Sequence, residues 1–264
     1  MALRQGFASP DFDVPEQGGA VPVRRPIPEK TLKTASFGAR RRRFAERFVF
    51  LQPADAVVRP VKLPDMTILP AAYLPSVEYC ARWAQQPCTI DAGEHFVKRS
   101  ERNRACILTA GGVMKLTVQA VHADRPRQPM RDMRIDYSKR WQHQHWTALR
   151  SAYRGSPYFD HYAPHFEPFY TRRFDFLLDY DLRLIETLAA LLGLPVPPVS
   201  EVYLASGPGD TDLRPKRKEG ADFVPAPYVQ VFADRFPFTP NLSIVDLLFC
   251  EGPRSCALLR QCRL

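Results

Sequence analysis

The densest group of chemically capable side chains lies in residues 94–104, which hold two acids, a histidine and four cations. If residues 102–104 are extended, Arg102 and Arg104 point to the same side about 7 Å apart, and Asn103 points to the other. At an effective dielectric constant near 20, two such charges repel by about 2 kcal/mol. We therefore expect a negatively charged group between the two guanidinium groups.

Two sources of that negative charge are open. The chain can supply it internally through Asp91, Glu94 or Glu101, which would give salt bridges. Alternatively, a ligand carboxylate or phosphate supplies it, since a guanidinium group binds either with two parallel hydrogen bonds. Lys98 would then be a further phosphate partner or an acid/base group, unless it is simply an exposed lysine. The cluster predicts either an ion-pair network or a site for an anionic small molecule.

Three further polar side chains could act on a ligand. His145 lies between Trp141 and Leu149 on one helix face, as a general acid or base at a pocket edge or as a histidine hydrogen-bonded within the fold. Gln230 either contacts a ligand or is a buried amide satisfied by the backbone. Asn241 precedes a helix start, where exposed N–H groups suit an anion, or it is an ordinary turn residue.

The common signatures of phosphate-binding loops, dinucleotide folds, serine hydrolases and zinc sites do not occur in the sequence. On a helix, His143 and His145 diverge by about 200° and cannot share a metal. His161 and His165 are four residues apart, but Pro164 should interrupt the helix that would align them. We therefore expect neither a metal nor a cofactor.

A parallel crossover unit is predicted at the start of the apolar part of the chain. The run from Met66 predicts a strand that breaks at Pro70, Ser76 is a suitable N-cap for a helix that ends before Pro87, and residues 88–91 predict a second strand. A strand, a helix and a strand in this order form a right-handed crossover.

Local patterns predict most of the remaining elements. A β-hairpin is expected around Gly111-Gly112, with arms at residues 103–109 and 113–121. Helices are predicted at residues 141–154 and, as one or two segments, at 166–192.

The C-terminal third combines a predicted loop with a strand and a helix start. Residues 195–227 are rich in proline and glycine and predict a long surface excursion. Residues 228–232 alternate as a strand, which would place Tyr228 and Gln230 on one face. Residues 243–246 form a capping box, which gives Asp246 a structural role.

The predicted fold class is α/β, with a small mixed sheet that contains an N-terminal β-α-β unit and a β-hairpin, plus a helical segment. Residues 63–264 are expected to form one domain. Residues 1–62 hold 12 Lys/Arg and 6 Asp/Glu and several prolines, and predict a disordered basic extension. The remaining chain is close to neutral, so nucleic-acid binding by the folded domain is not indicated.

Compartment and partner classes follow from the same composition. No window approaches the roughly 18 uninterrupted apolar residues of a membrane-spanning helix, so no span is expected. The N-terminus lacks the apolar core of a secretory signal, which predicts a cytoplasmic protein. The six cysteines are scattered, which is typical of buried thiols in a reducing compartment.

Several short motifs, taken together, resemble the WbqC-like protein family. In chain order they are Leu69-Pro70-Ala71-Ala72-Tyr73-Leu74-Pro75, Arg102-Asn103-Arg104, Trp141 with His145-Trp146, Tyr153 with Ser156-Pro157-Tyr158-Phe159, residues 228–232 and residues 241–249. Other members open with His-Gln-Pro-Asn-Tyr-Leu-Pro, whereas this chain has Leu69-Pro70-Ala71-Ala72 before Tyr73. A role that depends on that family histidine therefore does not transfer here.

The resemblance implies a role in O-antigen or other surface-polysaccharide biosynthesis, where acyl or aminoacyl transfer to an amino sugar is the proposed activity. We therefore hypothesise a cytoplasmic transferase whose anionic partner is a nucleotide sugar or an acyl donor. The alternative is a non-catalytic binding or scaffold protein of a glycan-assembly pathway. In the transferase hypothesis His145 is the catalytic base, and the substrate-binding residues are Tyr73, Lys98, Arg102, Asn103, Arg104, Gln230 and Asn241.

Overall fold

The computed structural model describes residues 66–121, 127–215 and 222–264, so the predicted extension at residues 1–62 lies outside the described residues. The strands are β1 Thr67–Pro70, β2 Cys88–Asp91, β3 Arg104–Thr109, β4 Gly112–Thr117, β5 Val199–Ser200 and β6 Thr211–Asp212. The helices are α1 Val77–Gln85, α2 Trp141–Tyr153, α3 Phe159–Thr171, α4 Leu177–Leu192, α5 Ile244–Glu251 and α6 Ser255–Gln261.

The predicted parallel crossover unit is present. β1 and β2 pair in parallel from Thr67 opposite Cys88 to Pro70 opposite Asp91, with α1 between them in the chain. The helix begins at Val77 because the Ser76 side chain accepts a hydrogen bond from a main-chain N–H of its first turn.

Two strands extend this unit into a four-stranded parallel sheet with the order β5-β2-β1-β6. Both added strands lie in residues 195–227, where the sequence predicted only a surface excursion, and that prediction was wrong for them. Each strand has two residues, too few to show an alternating pattern among the surrounding prolines and glycines.

The predicted β-hairpin is also present, as a separate antiparallel sheet in which Arg104 lies opposite Thr117 and Thr109 opposite Gly112. Gly112 has a φ of +100°, which is why glycine suits the turn. The α/β class is therefore confirmed, with the parallel and antiparallel pairings in different sheets.

The helical segment supplies much of the core. The predicted stripe of α2, from Trp141 through His145 to Tyr153, is buried. α3 begins at Phe159 and continues through Pro164 and Pro168, so the expectation that Pro164 interrupts this helix was wrong. The Pro164 side is exposed, where water can solvate the carbonyl that lacks an N–H partner.

Residues 228–232 do not form the predicted strand. The segment is extended without a strand partner and then turns, and Val229 is 74% exposed. The apolar residues of this segment pack individually on the core, as Tyr228, Val231 and Phe232 do, and do not belong to a hydrogen-bonded β-strand. Within the described ranges, no helix is long and apolar enough to cross a membrane.

Candidate functional site

A cavity of about 290 Å³ lies at the carboxyl ends of β1 and β6. Pro70 lines it from the end of β1 and Leu213 from the residue after β6, while Arg104 and Cys106 line it from β3. Ligands of open α/β sheets bind at the carboxyl ends of strands, next to the point where the strand order reverses. β1 is such a point here, since β2 and β6 flank it on opposite sides.

Arg102 lines this cavity but is already neutralised by the chain. Its Nε donates to Glu94 Oε1 at 2.9 Å and its Nη2 donates to Glu94 Oε2, while Nη1 donates to the Arg214 carbonyl at 3.2 Å. Both side chains of this pair are 2% exposed. Burial raises the pKa of Glu94 to about 7, against the opposing effect of Arg102. For Arg102, the internal alternative is the one that the structure shows.

Arg214 forms a second buried ion-pair cluster, which the sequence analysis did not predict. Its guanidinium group pairs with Asp91 at the end of β2 and with Asp212 at the end of β6, the latter at 2.6 Å. The side chain also lies over the Tyr203 ring, with Cζ 4.6 Å from the ring centroid. Arg214 therefore joins the ends of two strands that lie on either side of β1.

Arg104 differs from both of these arginines. Its Nε donates to Thr117 Oγ1 at 3.0 Å, and the ion pairs within the described residues do not include it. Arg99 also lines the cavity, is exposed and forms no ion pair in the same part of the chain. Lys98 is exposed and is not among the cavity-lining residues. The guanidinium groups of Arg104 and Arg99 therefore line the cavity without an acidic partner among the described residues.

Asn103 is not among the cavity-lining residues, but the extended conformation expected for residues 102–104 was wrong: residues 101–103 form a turn and β3 begins at Arg104. The Asn103 Oδ1 accepts from the Arg99 main-chain N–H at 3.0 Å, and its Nδ2 donates to the Val118 carbonyl at 3.1 Å. Arg99 has a φ of +59°, so this contact stabilises an uncommon backbone conformation. Asn103 therefore shapes the loop that presents Arg99.

Glu101 provides the cavity with a carboxylate that is only half satisfied. Its Oε1 accepts from Ser76 Oγ at 2.6 Å, and its Oε2 is shielded from solvent with no hydrogen-bond partner among the described residues. An unpaired buried acceptor costs about 1–3 kcal/mol. Burial raises the pKa of the Glu101 carboxyl.

Asn241 lies at the start of α1, in contact with the helix that borders the cavity. The first main-chain N–H groups of this helix are all paired: Val77 N with the Leu242 carbonyl at 2.9 Å, Glu78 N with Asn241 Oδ1 at 2.9 Å, and Tyr79 N with Ser76 Oγ at 3.3 Å. The N–H groups expected to be exposed are those at the start of α5, which Asn241 precedes in the chain, and they are occupied as well: Ile244 N pairs with the Pro75 carbonyl at 2.8 Å and Val245 N with Ser243 Oγ at 3.5 Å. An anion in this cavity has to be held by side chains.

Tyr73 and His145 form a buried pair that is separate from the cavity lining. Tyr73 Oη is 2.9 Å from His145 Nδ1 and 3.0 Å from Tyr170 Oη. His145 is 5% exposed. Burial lowers the pKa of its imidazole to about 4. The Tyr73 main-chain N–H donates to the Glu101 carbonyl at 2.8 Å, which connects this pair to the cavity wall.

Gln230 belongs to a third network, around Asp246. Its side-chain amide exchanges two hydrogen bonds with the main chain of Thr239, at 2.9 and 2.8 Å. Asp246 accepts from Tyr153 Oη and from Tyr228 Oη, each at 2.7 Å, instead of returning to the helix start as a capping box requires. Gln230 is thus satisfied by backbone, and Asp246 ties three segments together.

One buried acid was missed altogether. Asp181, within α4, is fully buried, and neither carboxylate oxygen has a hydrogen-bond partner among the described residues. Burial raises the pKa of its carboxyl well above the usual value. Asp181 lies among the buried apolar residues of α4 and does not interrupt their helical spacing. The sequence pattern therefore did not indicate a buried acid at this position.

This chain was compared with protein families, with curated proteins and with solved structures, and only the family comparison found a match. The model of the WbqC-like protein family matches residues 71–217, which confirms the resemblance drawn from the sequence motifs. Neither the curated proteins nor the solved structures contain a match. The matched range includes the lining residues from Ser76 to Pro215.

Proposed function

Because this chain belongs to the WbqC-like protein family, we propose that it is a transferase of surface-polysaccharide biosynthesis that binds an activated amino sugar in the cavity beside β1. The transferred group is an acyl or aminoacyl group. The neutral sugar amine attacks the carbonyl carbon of the donor and a C–N bond forms. The bond from that carbon to the donor's leaving group breaks, the leaving group departs with the bonding electron pair, and the proton that the amine nitrogen loses passes through solvent to the leaving group.

One observation carries this proposal: the guanidinium group of Arg104 faces a cavity without a carboxylate partner among the described residues. Together with Arg99, it supplies the positive charge that a sugar phosphate requires. Arg102 and Arg214 do not contribute free charge, because Glu94, Asp91 and Asp212 neutralise them.

The size of the cavity limits what it can hold. At about 290 Å³ it lies at the lower end of the range of small-molecule sites. In this proposal the cavity therefore receives the phosphate and the adjoining sugar, and the rest of a nucleotide or acyl donor extends outward past Arg99.

His145 has a positioning role in this proposal rather than the proton transfer expected from the sequence. It is absent from the cavity lining and holds the Tyr73 hydroxyl, and the Tyr73 main chain in turn holds Glu101. Gln230 stabilises the 228–239 loop, and Asn241 caps α1.

A binding panel tests the proposal. Nucleotide sugars, sugar phosphates and acyl thioesters are screened by thermal shift, and the Kd of each hit is measured for the wild type and for Arg104→Gln. We expect the variant to weaken phosphate-bearing ligands about tenfold or more, since a hydrogen bond to a charged group is lost. Arg183→Gln, which removes an exposed pair with Glu186 on α4, is the matched control.

Two results would overturn the proposal: no member of the panel stabilises the protein, or Arg104→Gln binds every ligand as the wild type does. A ligand that binds through Arg104 while no acyl donor is consumed would instead favour the scaffold alternative.

A further inference from the structure

We infer that the cavity ligand is held at two ends, with an anionic group at Arg104 and a hydrogen-bond donor, a hydroxyl or an ammonium group, at Glu101. This inference rests on the proposed function, since it concerns the same cavity. It goes further because it gives the ligand an orientation and requires a donor group next to the anion.

Around the cavity, both a positively charged side chain and a negatively charged one lack an ion-pair partner among the described residues. Glu78 pairs with Arg82, and Arg102 and Arg214 have their own acids. What remains, within the described residues, are the guanidinium groups of Arg104 and Arg99 and one oxygen of Glu101. A simple anion would satisfy the first and leave the second unpaired.

Glu101 and Arg104 line the cavity from different elements. Glu101 is held beside α1, where Ser76 Oγ donates to its Oε1, and Arg104 is held in the hairpin, where its Nε donates to Thr117 Oγ1. Cys106 lines the same cavity: burial raises the pKa of its thiol, Lys115 and Arg104 oppose that shift, and Glu101 adds to it. The cavity therefore combines an acidic group with a basic group.

The carboxyl group of Glu101 can meet a ligand while it keeps its contact with Ser76. The terminal torsion of a glutamate side chain is soft, so a small rotation turns Oε2 toward the cavity that the residue lines. An ammonium or hydroxyl group placed there pairs the carboxylate oxygen that is unpaired without a ligand.

Titration calorimetry with two probes tests the inference on the full chain. Methyl phosphate carries the anion alone, and glucosamine 1-phosphate carries the anion with hydroxyl and ammonium groups. For the wild type we expect glucosamine 1-phosphate to bind about tenfold more tightly or better. Glu101→Gln, whose amide nitrogen donates where the carboxylate accepts, should remove that advantage and leave methyl phosphate unchanged.

Arg104→Gln separates this inference from the proposed function. It should weaken both probes, because both use the anion site. If Arg104→Gln weakens both probes but Glu101→Gln keeps the preference for glucosamine 1-phosphate, the inference is wrong and the proposed function stands. If neither probe binds the wild type, both fail.

A second measurement uses the wild type and does not depend on a variant that folds. The rate at which iodoacetamide alkylates Cys106 is followed by peptide mass spectrometry with each probe present at equal concentration. Because Cys106 lines the cavity, glucosamine 1-phosphate, which in this inference reaches Glu101 as well as Arg104, should slow its alkylation more than methyl phosphate does. Equal protection by the two probes would contradict the two-ended arrangement.

Discussion

At the scale of single residues, burial separates arginines that hold the fold from the arginine that can hold a ligand. Arg102 and Arg104 are two residues apart and line the same cavity, yet only Arg102 has a buried acid against it. The guanidinium group of Arg102 is 2% exposed and donates two hydrogen bonds to Glu94, so it stabilises the fold. The guanidinium group of Arg104 is partly exposed and is the one available for an anion.

Arg102→Met should therefore destabilise the protein rather than only weaken binding. It leaves the Glu94 carboxylate buried without a partner, and breaking a buried pair in this way costs about 3–5 kcal/mol of unfolding free energy. Urea denaturation followed by circular dichroism measures the loss.

The double variant Arg102→Met/Glu94→Met is the control for that measurement. Replacing both charges with apolar groups of similar size should recover most of the lost stability. A loss below about 1 kcal/mol in the single variant would contradict the ion-pair role, because exposed pairs cost no more than that.

His145 should make stability depend on pH in the acidic range. Burial lowers the pKa of its imidazole in the folded state to about 4, below the ordinary histidine value of 6.5. Between these values the unfolded chain binds a proton that the folded chain does not. Stability from this group is therefore complete above pH 6.5 and falls toward pH 4, by about 3 kcal/mol in all.

The check is the unfolding free energy of the wild type and of His145→Gln at several pH values from 4 to 7. Glutamine can still accept from Tyr73 but does not titrate, so this part of the pH dependence should disappear. Parallel curves for the two proteins would show that His145 does not contribute it.

At the scale of elements, the carboxyl edge of the sheet is built by loops that approach one another closely. Gly93 follows β2, and a Cβ atom there would lie 2.2 Å from the Tyr203 nitrogen and 2.5 Å from the Val202 carbonyl carbon. These atoms belong to the main chain of the loop after β5, which cannot move aside as a side chain can. The close approach places Asp91 and Leu204 within reach of Arg214.

Gly93→Ala should lower the stability of this edge by about 1–3 kcal/mol, the usual cost of overpacking. Gly155→Ala is the matched control, since an added Cβ there meets nothing within 4 Å. Thermal unfolding of the two variants compares them directly. Equal melting temperatures would contradict the close approach.

The elements that the sequence predicted are those with a local cause. Ser76 accepts from the first turn of α1, and the Gly111-Gly112 turn closes the hairpin, so both could be placed from neighbouring residues. β5 and β6 could not, because a two-residue strand is defined by its partners and not by its own pattern. Pro164 misled the helix prediction because only the fold shows that its side of α3 faces water.

The candidate site likewise has features that the sequence could predict and features that depend on tertiary contacts. Arg102 and Arg104 both line the cavity, as the sequence predicted, but Arg102 does so from a turn and only Arg104 from β3, so strand alternation is not the reason. Which guanidinium group is neutralised depends on tertiary contacts, as does the pairing of Arg214 with Asp91, 123 positions away in the chain. The spacing of charged residues therefore identified the cluster at residues 94–104, but it did not show that Arg104 is the arginine without an acidic partner.

At the scale of the whole molecule, the cavity is built from one part of the chain. Within the described part of the chain, its lining residues run from Pro70 to Asn241. Residues 1–62, which lie outside the described residues, hold 12 Lys/Arg against 6 Asp/Glu. A basic extension next to a nearly neutral body can raise affinity for any polyanion without entering a specific site.

Deletion of residues 1–62 should leave the affinity for glucosamine 1-phosphate unchanged within about twofold, since the proposed binding residues Arg99, Glu101 and Arg104 all lie later in the chain and independent sites add within such an error. Calorimetry on the full and shortened chains measures this, with circular dichroism to verify that both are folded. A tenfold loss would mean that the extension contributes to the site.

The contact of Arg214 with Asp91 and Asp212 has a consequence for how this protein can vary. Residues 201–210, between β5 and β6, are anchored at their far end by a side chain rather than by a long ladder of backbone hydrogen bonds. Such a segment can lengthen, shorten or change its sequence while the cavity floor stays in place. A relative that keeps these three charges can therefore vary the segment before β6 without losing the side chain that ties the ends of β2 and β6 together.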